Sequence, residues 1–431
     1  MNQQAEELNQ VIQNDSNIVC DLFSKKGKEI YFPKKGILGQ AAQAKGKKIN
    51  ATIGEAIGDD GKHMYLKSIE EKLNISPALA VPYAPSVGRA DIRESWKKMI
   101  VEKNPSIGSK NFSLPVVTNA LTHGLSVCGY LFINEGDHII LANHFWDNYE
   151  LVFCNAFGAT LDKFNLFANG GFDLNSFENK LNEGPIGKKV LLLNFPNNPS
   201  GYTPTISEME SIAEIIKKSA EKGNKIVVII DDAYFGLVFE EGIATESIFT
   251  KLMDLHKNVL AVKLDGPTKE DYVWGLRVGF VTYGIKGGTS EFYEALESKT
   301  AGVVRGNISN VSNLSQSMML AAFNSPDYWT EKKEKYNILK ERYEAVKNAL
   351  KEEKYSEFFS ALPYNSGYFM CIELKQGLNA EDVRKQLLDK YDTGVIVIGD
   401  VIRIAFSAVS REVVPEIFEN IYGACRDLLN K

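Results

Sequence analysis

Short apolar runs alternate with helical patterns through the middle of the chain. Residues 138–142, 189–194, 226–231, 259–264 and 278–283 are each brief and rich in Val, Ile or Leu, as strands buried on both faces should be. Between two of them Met209, Ile212, Ile215 and Ile216 fall on one helical face. Ser207 is placed to cap that helix with Glu210 reaching back, and Gly223 is its stop signal. Strands alternating with helices predict an α/β fold with a mainly parallel sheet covered by helices. From about Asp327 the pattern changes. A long charged helix over 328–354, then short strands around 367–374 and 401–406, predict a second, smaller α+β unit. The first fifty residues carry few apolar clusters, so they are expected to wrap over the surface and join that unit. The expected division is 1–75 as an N-terminal segment joining the small domain, 76–325 as the large domain, and 326–431 as the small C-terminal domain.

Composition narrows the partners. At 44% hydrophobic and 24% charged residues, the 431-residue chain has the make-up of an ordinary globular protein. A formal charge of −6 argues against nucleic acid, whose phosphates need a basic surface. The five cysteines, Cys20, Cys128, Cys154, Cys371 and Cys425, are odd in number and widely spaced, which predicts reduced thiols and no metal site. A polar start and no apolar run of bilayer length predict no membrane association and a cytoplasmic protein.

Chemistry gathers just past the apolar runs. Residues 189–194 lead into Phe195-Pro196-Asn197-Asn198-Pro199-Ser200-Gly201. The run 226–231 ends in Asp231-Asp232-Ala233-Tyr234, and 259–264 continues as Asp265-Gly266-Pro267-Thr268-Lys269. Ligands of open parallel sheets bind beyond the carboxyl ends of the strands, so these side chains are expected to converge on one pocket. Each element alone has a plainer reading: a turn, a helix cap or a solvated lysine. Their order makes those readings poor.

With Gly275-Leu276-Arg277-Val278-Gly279 following, which places Arg277 eight positions beyond the lysine, the chain resembles a fold-type I pyridoxal-phosphate enzyme of the class I/II aminotransferase group, the aspartate aminotransferase superfamily. The likeness runs from about Ile49 to the C-terminus. It implies a three-layer α/β/α large domain, a smaller α+β domain drawn from both termini, pyridoxal 5'-phosphate as cofactor, and a homodimer with shared active sites.

The resemblance also assigns roles. Lys269 would carry the cofactor and then shuttle the proton; Asp231 would pair with the ring nitrogen. Tyr234 and Asn198 would reach the phenolic oxygen, and Asn198–Pro199 is a candidate cis bond. Ala120, Leu121 and Thr122, ahead of the helical stretch Leu125, Val127, Cys128 and Leu131, match the phosphate cradle at a helix N-terminus. Thr268 and Arg277 would complete it, while Gly266 stands where the family usually has Ser. Trp146 sits where an aromatic stacks on the ring, and Tyr83 where a tyrosine reaches the neighbouring subunit's phosphate. Arg403 matches the arginine that holds the substrate α-carboxylate. Gly54 matches a position of close backbone approach to substrate. Arg305 resembles the second, cross-dimer arginine of aspartate aminotransferases, with a surface charge on a loop as the equal alternative.

The expected reaction moves an amino group from an amino acid, aspartate or glutamate favoured and aromatic possible, to a 2-oxo acid. A carbon–sulfur β-lyase or aminocyclopropane-carboxylate-synthase type is the alternative within the fold. A cofactor-binding regulatory protein is the alternative of another class, and the N-terminal segment shows no helix-turn-helix pattern to support it.

Overall fold

The structure is a computed structural model describing residues 1–15, 17–34, 36–375 and 377–429. At its centre is a seven-stranded sheet: β1 Val116–Thr118, β2 His138–Ala142, β3 Thr160–Phe164, β4 Lys188–Asn194, β5 Lys225–Asp231, β6 Val259–Asp265 and β7 Gly279–Gly284. The spatial order is β1-β7-β6-β5-β4-β2-β3. Strands β2 to β6 pair in parallel, and β7 runs antiparallel to both its neighbours. The five apolar runs are strands, each bounded within one residue of the expectation.

Side chains alternate between the two faces of a strand. Ile139, Leu141, Val190, Leu192, Ile229, Val262 and Leu264 pack with Leu125 and Cys128 on one side. Ile140, Leu191, Leu193, Val228, Ile230 and Ala261 pack with Met209, Ile212 and Ile216 on the other. Helices therefore cover both faces, and the layers are α/β/α.

Four helices matter for the site, in addition to the one carrying Met209. They are α1 Ala90–Lys103, α2 Ala120–Phe132, α4 Ser290–Ile308 and α5 Tyr328–Ala349, with α3 Ile206–Glu221 between β4 and β5. Helix α3 is capped two residues earlier than expected. The Thr205 hydroxyl accepts from the Glu208 amide, and the Glu208 carboxylate accepts from the Thr205 amide at 2.7 Å. Ser207 already lies inside the helix, so it cannot cap it. Helix α5 stops short of residue 354, because the chain tightens into the 3-10 turn Glu353–Glu357 that buries Tyr355 against Phe359.

A second sheet, antiparallel throughout, joins β8 Phe359–Ala361, β9 Phe369–Leu374, β10 Ile396–Ile398 and β11 Val401–Ala405 in the order β8-β9-β11-β10. The N-terminal stretch is more regular than its composition suggested, with helices Gln3–Asp15, Asn17–Leu22, Lys25–Glu29 and Ile37–Gln43. Gln40 exchanges hydrogen bonds with the Val397 backbone at 2.9 and 2.7 Å, and Ile49–Asn50 pairs in parallel with Thr393–Gly394. No helix among the described residues is long and apolar enough to cross a membrane.

Candidate active site

The carboxyl ends of β4, β5 and β6, the start of α2, residues 53–55 and β11 enclose a cavity of about 460 Å³. Alternation sorts Asp231, the last residue of β5, from Asp232 just beyond it. Asp231 faces the α2 side, where the Tyr149 hydroxyl donates to its Oδ2 at 2.6 Å and the Ala233 amide to its Oδ1 at 3.1 Å. Burial pushes its carboxyl up to about 6 against the pull of those two donors. Asp232 turns to the opposite face and pairs with buried Lys263, which also meets Asp265 at 3.2 Å.

Lys269 lies in the short helical turn Pro267–Glu270 after β6. Its Nζ donates to the Gly54 carbonyl at 3.3 Å and lies 5.7 Å from the centroid of the Tyr234 ring. Burial, reinforced by nearby Arg277, lowers the ammonium to about 8. The Tyr368 hydroxyl holds the Lys269 main-chain carbonyl at 2.7 Å. Tyr234 is buried edge-on to Tyr368 and Phe369, and burial raises its hydroxyl pKa.

The loop after β4 contains cis bonds at Phe195–Pro196 and Asn198–Pro199. Asn194 ties it to β5: its Oδ1 accepts from the Asn198 amide at 2.8 Å, and its Nδ2 donates to the Asp231 carbonyl at 2.8 Å. Gly201, at φ +73°, passes so close to β9 that a Cβ would sit 1.9 Å from the Phe369 carbonyl oxygen. Asn198 thereby meets Arg403 on β11, whose Nη1 donates to Asn198 Oδ1 at 3.1 Å and whose Nη2 donates to the Thr52 carbonyl at 2.9 Å. The guanidinium is 2% exposed, stacks 4.1 Å from the Phe369 ring, and leaves Nε without a partner. Its hydrogen bonds go to an amide and a carbonyl, which leaves its charge available to a ligand carboxylate.

A third group lines the same cavity: Ala120, Leu121 and Thr122 at the start of α2, Thr268 and Arg277. Ala120 and Arg277 both hold left-handed backbone, at φ +59° and +55°. Thr268 Oγ1 is buried without a hydrogen-bond partner. Gly266, where the family usually has Ser, packs against Gly279 so closely that a Cβ would lie 2.8 Å from the Gly279 Cα. Pyridoxal 5'-phosphate needs a carboxylate for its ring nitrogen, an amine for its aldehyde and donors for its phosphate. The buried Asp231, the Lys269 amine, and an orphan hydroxyl beside helix-terminal amides fit that group.

Trp146 lines the cavity, edge-on to Tyr149 at 5.7 Å, and Gly54 lies beside the lysine. Tyr83 and Arg305 do not line it. Tyr83 is 92% exposed, and Arg305 is exposed in the last turn of α4, so it stands on a helix rather than on a loop. Sequence reasoning passed over Tyr149, Asn194, Phe369, Trp274, Ile37 and Leu38, all of which line the cavity. Tyr149 carried a signal, since it lies three residues beyond Trp146 in the same aromatic segment. Phe369 and Ile37 carried none, because their strand and helix reach the site only through tertiary packing.

The model for "Aminotransferase class I and II" matches residues 47–421. A cytoplasmic aspartate aminotransferase of Oryza sativa is 26% identical over 271 residues, 61% of this chain and 64% of that protein. A probable N-acetyl-LL-diaminopimelate aminotransferase of Bacillus subtilis is 24% identical over 203 residues, 46% of this chain and 47% of its own. The matches thus span less than two thirds of these relatives' lengths. Among solved structures, an aminotransferase from Anaerococcus prevotii superposes with a TM-score of 0.83 at 24% identity, covering 94% of this chain and 99% of that one. Aspartate aminotransferase from Thermus thermophilus with maleate gives 0.72 at 16% identity, covering 93% and 99%.

Proposed function

This chain belongs to the aminotransferase class I and II family, whose enzymes use pyridoxal 5'-phosphate, and from that premise we propose that it moves an amino group from an α-amino acid to a 2-oxo acid. The observation that carries this reading is the meeting of Lys269, Asp231 and Arg403 on one cavity.

When bound, the cofactor supplies an electron sink for the bond broken at the substrate α-carbon. The chain's own residues do the rest. Arg403 holds the α-carboxylate and orients the substrate, with Asn198 and Phe369 fixing the guanidinium. Lys269, its amine brought near neutrality by burial, carries the cofactor and then moves the proton from the α-carbon. Asp231, held by Tyr149, keeps the ring nitrogen protonated. Tyr234 and Asn198 bind the phenolic oxygen, and Trp146 covers the ring. Ala120, Leu121, Thr122, Thr268 and Arg277 bind the phosphate. Gly54 presents its carbonyl beside the lysine.

Aspartate or glutamate is the proposed donor, following relatives named aspartate aminotransferase. Arg305 would hold the distal carboxylate and Tyr83 the phosphate across a homodimer, a reading supported by their exposure on the single chain. The domains divide near residues 75 and 325, and the protein works in the cytoplasm.

The test has two steps. Borohydride reduction of cofactor-saturated protein followed by peptide mapping is expected to place a pyridoxyl group on Lys269. Mixing with aspartate or glutamate is then expected to yield one oxo acid per cofactor and no ammonia. Ammonia released without an acceptor would replace transamination by elimination.

A further inference from the structure

Two acids directly follow the reactive lysine, and both are buried: Glu270 at 6% exposure and Asp271 at 0%. Each is held by side chains from distant parts of the chain. Lys103, the last residue of α1, meets Glu270 Oε1 at 2.7 Å. Lys332, one turn into α5, meets Glu270 Oε2 at 2.7 Å and Asp271 Oδ1 at 2.8 Å. The Tyr328 hydroxyl donates to the Asp271 carboxylate at 2.9 Å. Aromatic faces enclose both ammonium groups, Trp96 at 4.2 Å from Lys103 Nζ and Tyr328 at 5.2 Å from Lys332 Nζ.

With two cations and two anions the cluster is balanced. Although burial opposes it, Lys103 and Lys332 hold the Glu270 carboxyl well below the usual carboxylate range, while at Asp271 burial outweighs Lys332 and raises the carboxyl. Burying four charges adds little stability compared with apolar side chains of the same size. Such a cluster does dictate geometry, because each oxygen has one donor direction to meet. What it fixes here is the main chain immediately beyond Lys269.

We propose that this network positions Lys269, and that Lys332 is the positioning residue through which helix α5 sets the direction of the reactive amine. The largest influences on the Lys269 pKa are burial, Arg277, Glu55, Arg403 and Asp231. The network's proposed action is on where the amine sits. This inference rests on the reading that Lys269 carries the cofactor.

Two ligands separate position from general integrity. Pyridoxal phosphate reacts with the amine: Nζ adds to the aldehyde carbon, C=N replaces C=O, and the oxygen leaves as water with no change in oxidation state. Pyridoxamine phosphate fills the same cavity without that bond. With cofactor-free Lys332→Met, covalent attachment is expected to slow at least about tenfold at every pH, as small misplacements of reacting groups do. The pyridoxamine phosphate Kd and the pH midpoint of attachment are expected to match the parent chain, and Lys332→Arg to restore part of the rate. Attachment at the parent rate, or a pyridoxamine phosphate affinity that falls by the same factor as the rate, overturns the proposal. Should Lys332→Met fail to fold, Asp271→Asn keeps the shape of the cluster and is expected to slow attachment less, in the same direction; an unchanged rate there overturns it equally. A parent chain with no adduct at Lys269 sinks the underlying reading instead.

Discussion

Tyr149 and Asp231, 82 residues apart, are joined by a 2.6 Å hydrogen bond from phenol to carboxylate in the buried base of the site. A hydrogen bond to a charged acceptor contributes about 1.5–3 kcal/mol. Tyr149→Phe removes the donor from an ionised acid and is expected to lower kcat/KM by roughly 10- to 100-fold. It also moves the Asp231 carboxyl further up from about 6. In the cofactor-free protein the folded chain keeps this proton where the unfolded chain has released it. Stability therefore falls as pH rises from about 4 through about 6, and the Phe variant extends that fall to higher pH. Urea midpoints across this range measure it; superimposable curves would remove Tyr149 from the account.

The depressed Lys269 amine makes a second pH prediction. Only the neutral amine adds to an aldehyde, so attachment of pyridoxal phosphate is expected to rise about tenfold per pH unit below 8 and level off above it. The same depression adds stability to the cofactor-free protein as pH rises from about 8 to about 10.4, where the unfolded chain alone still binds the proton. A rate that climbs without a plateau to pH 10 contradicts the assignment.

Arg403 already has two neighbours in place, the Asn198 amide oxygen and the Thr52 carbonyl. Arg403→Lys keeps the charge and loses the planar fork. KM for the amino donor is expected to rise about 10- to 100-fold with a smaller change in kcat. Steady-state kinetics against a fixed oxo acid decide it, and an unchanged KM rules out carboxylate binding at this position.

Gly266 invites a repair that the packing forbids. Restoring the family's serine adds a phosphate donor on paper, yet its Cβ would lie 2.8 Å from the Gly279 Cα and 2.9 Å from the Val278 carbonyl oxygen. Gly266→Ser is expected to cost about 1–3 kcal/mol of stability, as overpacking does, and to weaken pyridoxamine phosphate binding. A tighter-binding variant with an unchanged urea midpoint would show that the strand pair can part.

These particulars show which features the amino-acid order reveals. β4, β5 and β6 are legible because strands buried on both faces read as unbroken apolar runs. The edge strand β3, Thr160–Phe164, mixes Thr, Asp and Lys with apolar residues and gives no such signal. Lys269, Asp231 and Asn198 were legible from their order after those runs. The contacts that orient Arg403 were not, because its partners Asn198 and Thr52 lie 205 and 351 residues away. Ser207 looked like a cap because the capping pattern repeats two residues on; only the backbone of Thr205 singles out the true start.

The parallel pairing of Ile49–Asn50 with Thr393–Gly394 stitches the beginning of the chain to its far end just ahead of Ile53, Gly54 and Glu55. Those three residues form one wall of the cavity, and Ile37 and Leu38 stand at it from the preceding helix. On the proposed function, this part of the N-terminal stretch is working surface. A nick or an inserted tag between residues 36 and 48 would announce itself first as altered turnover, in a protein whose melting curve had scarcely changed.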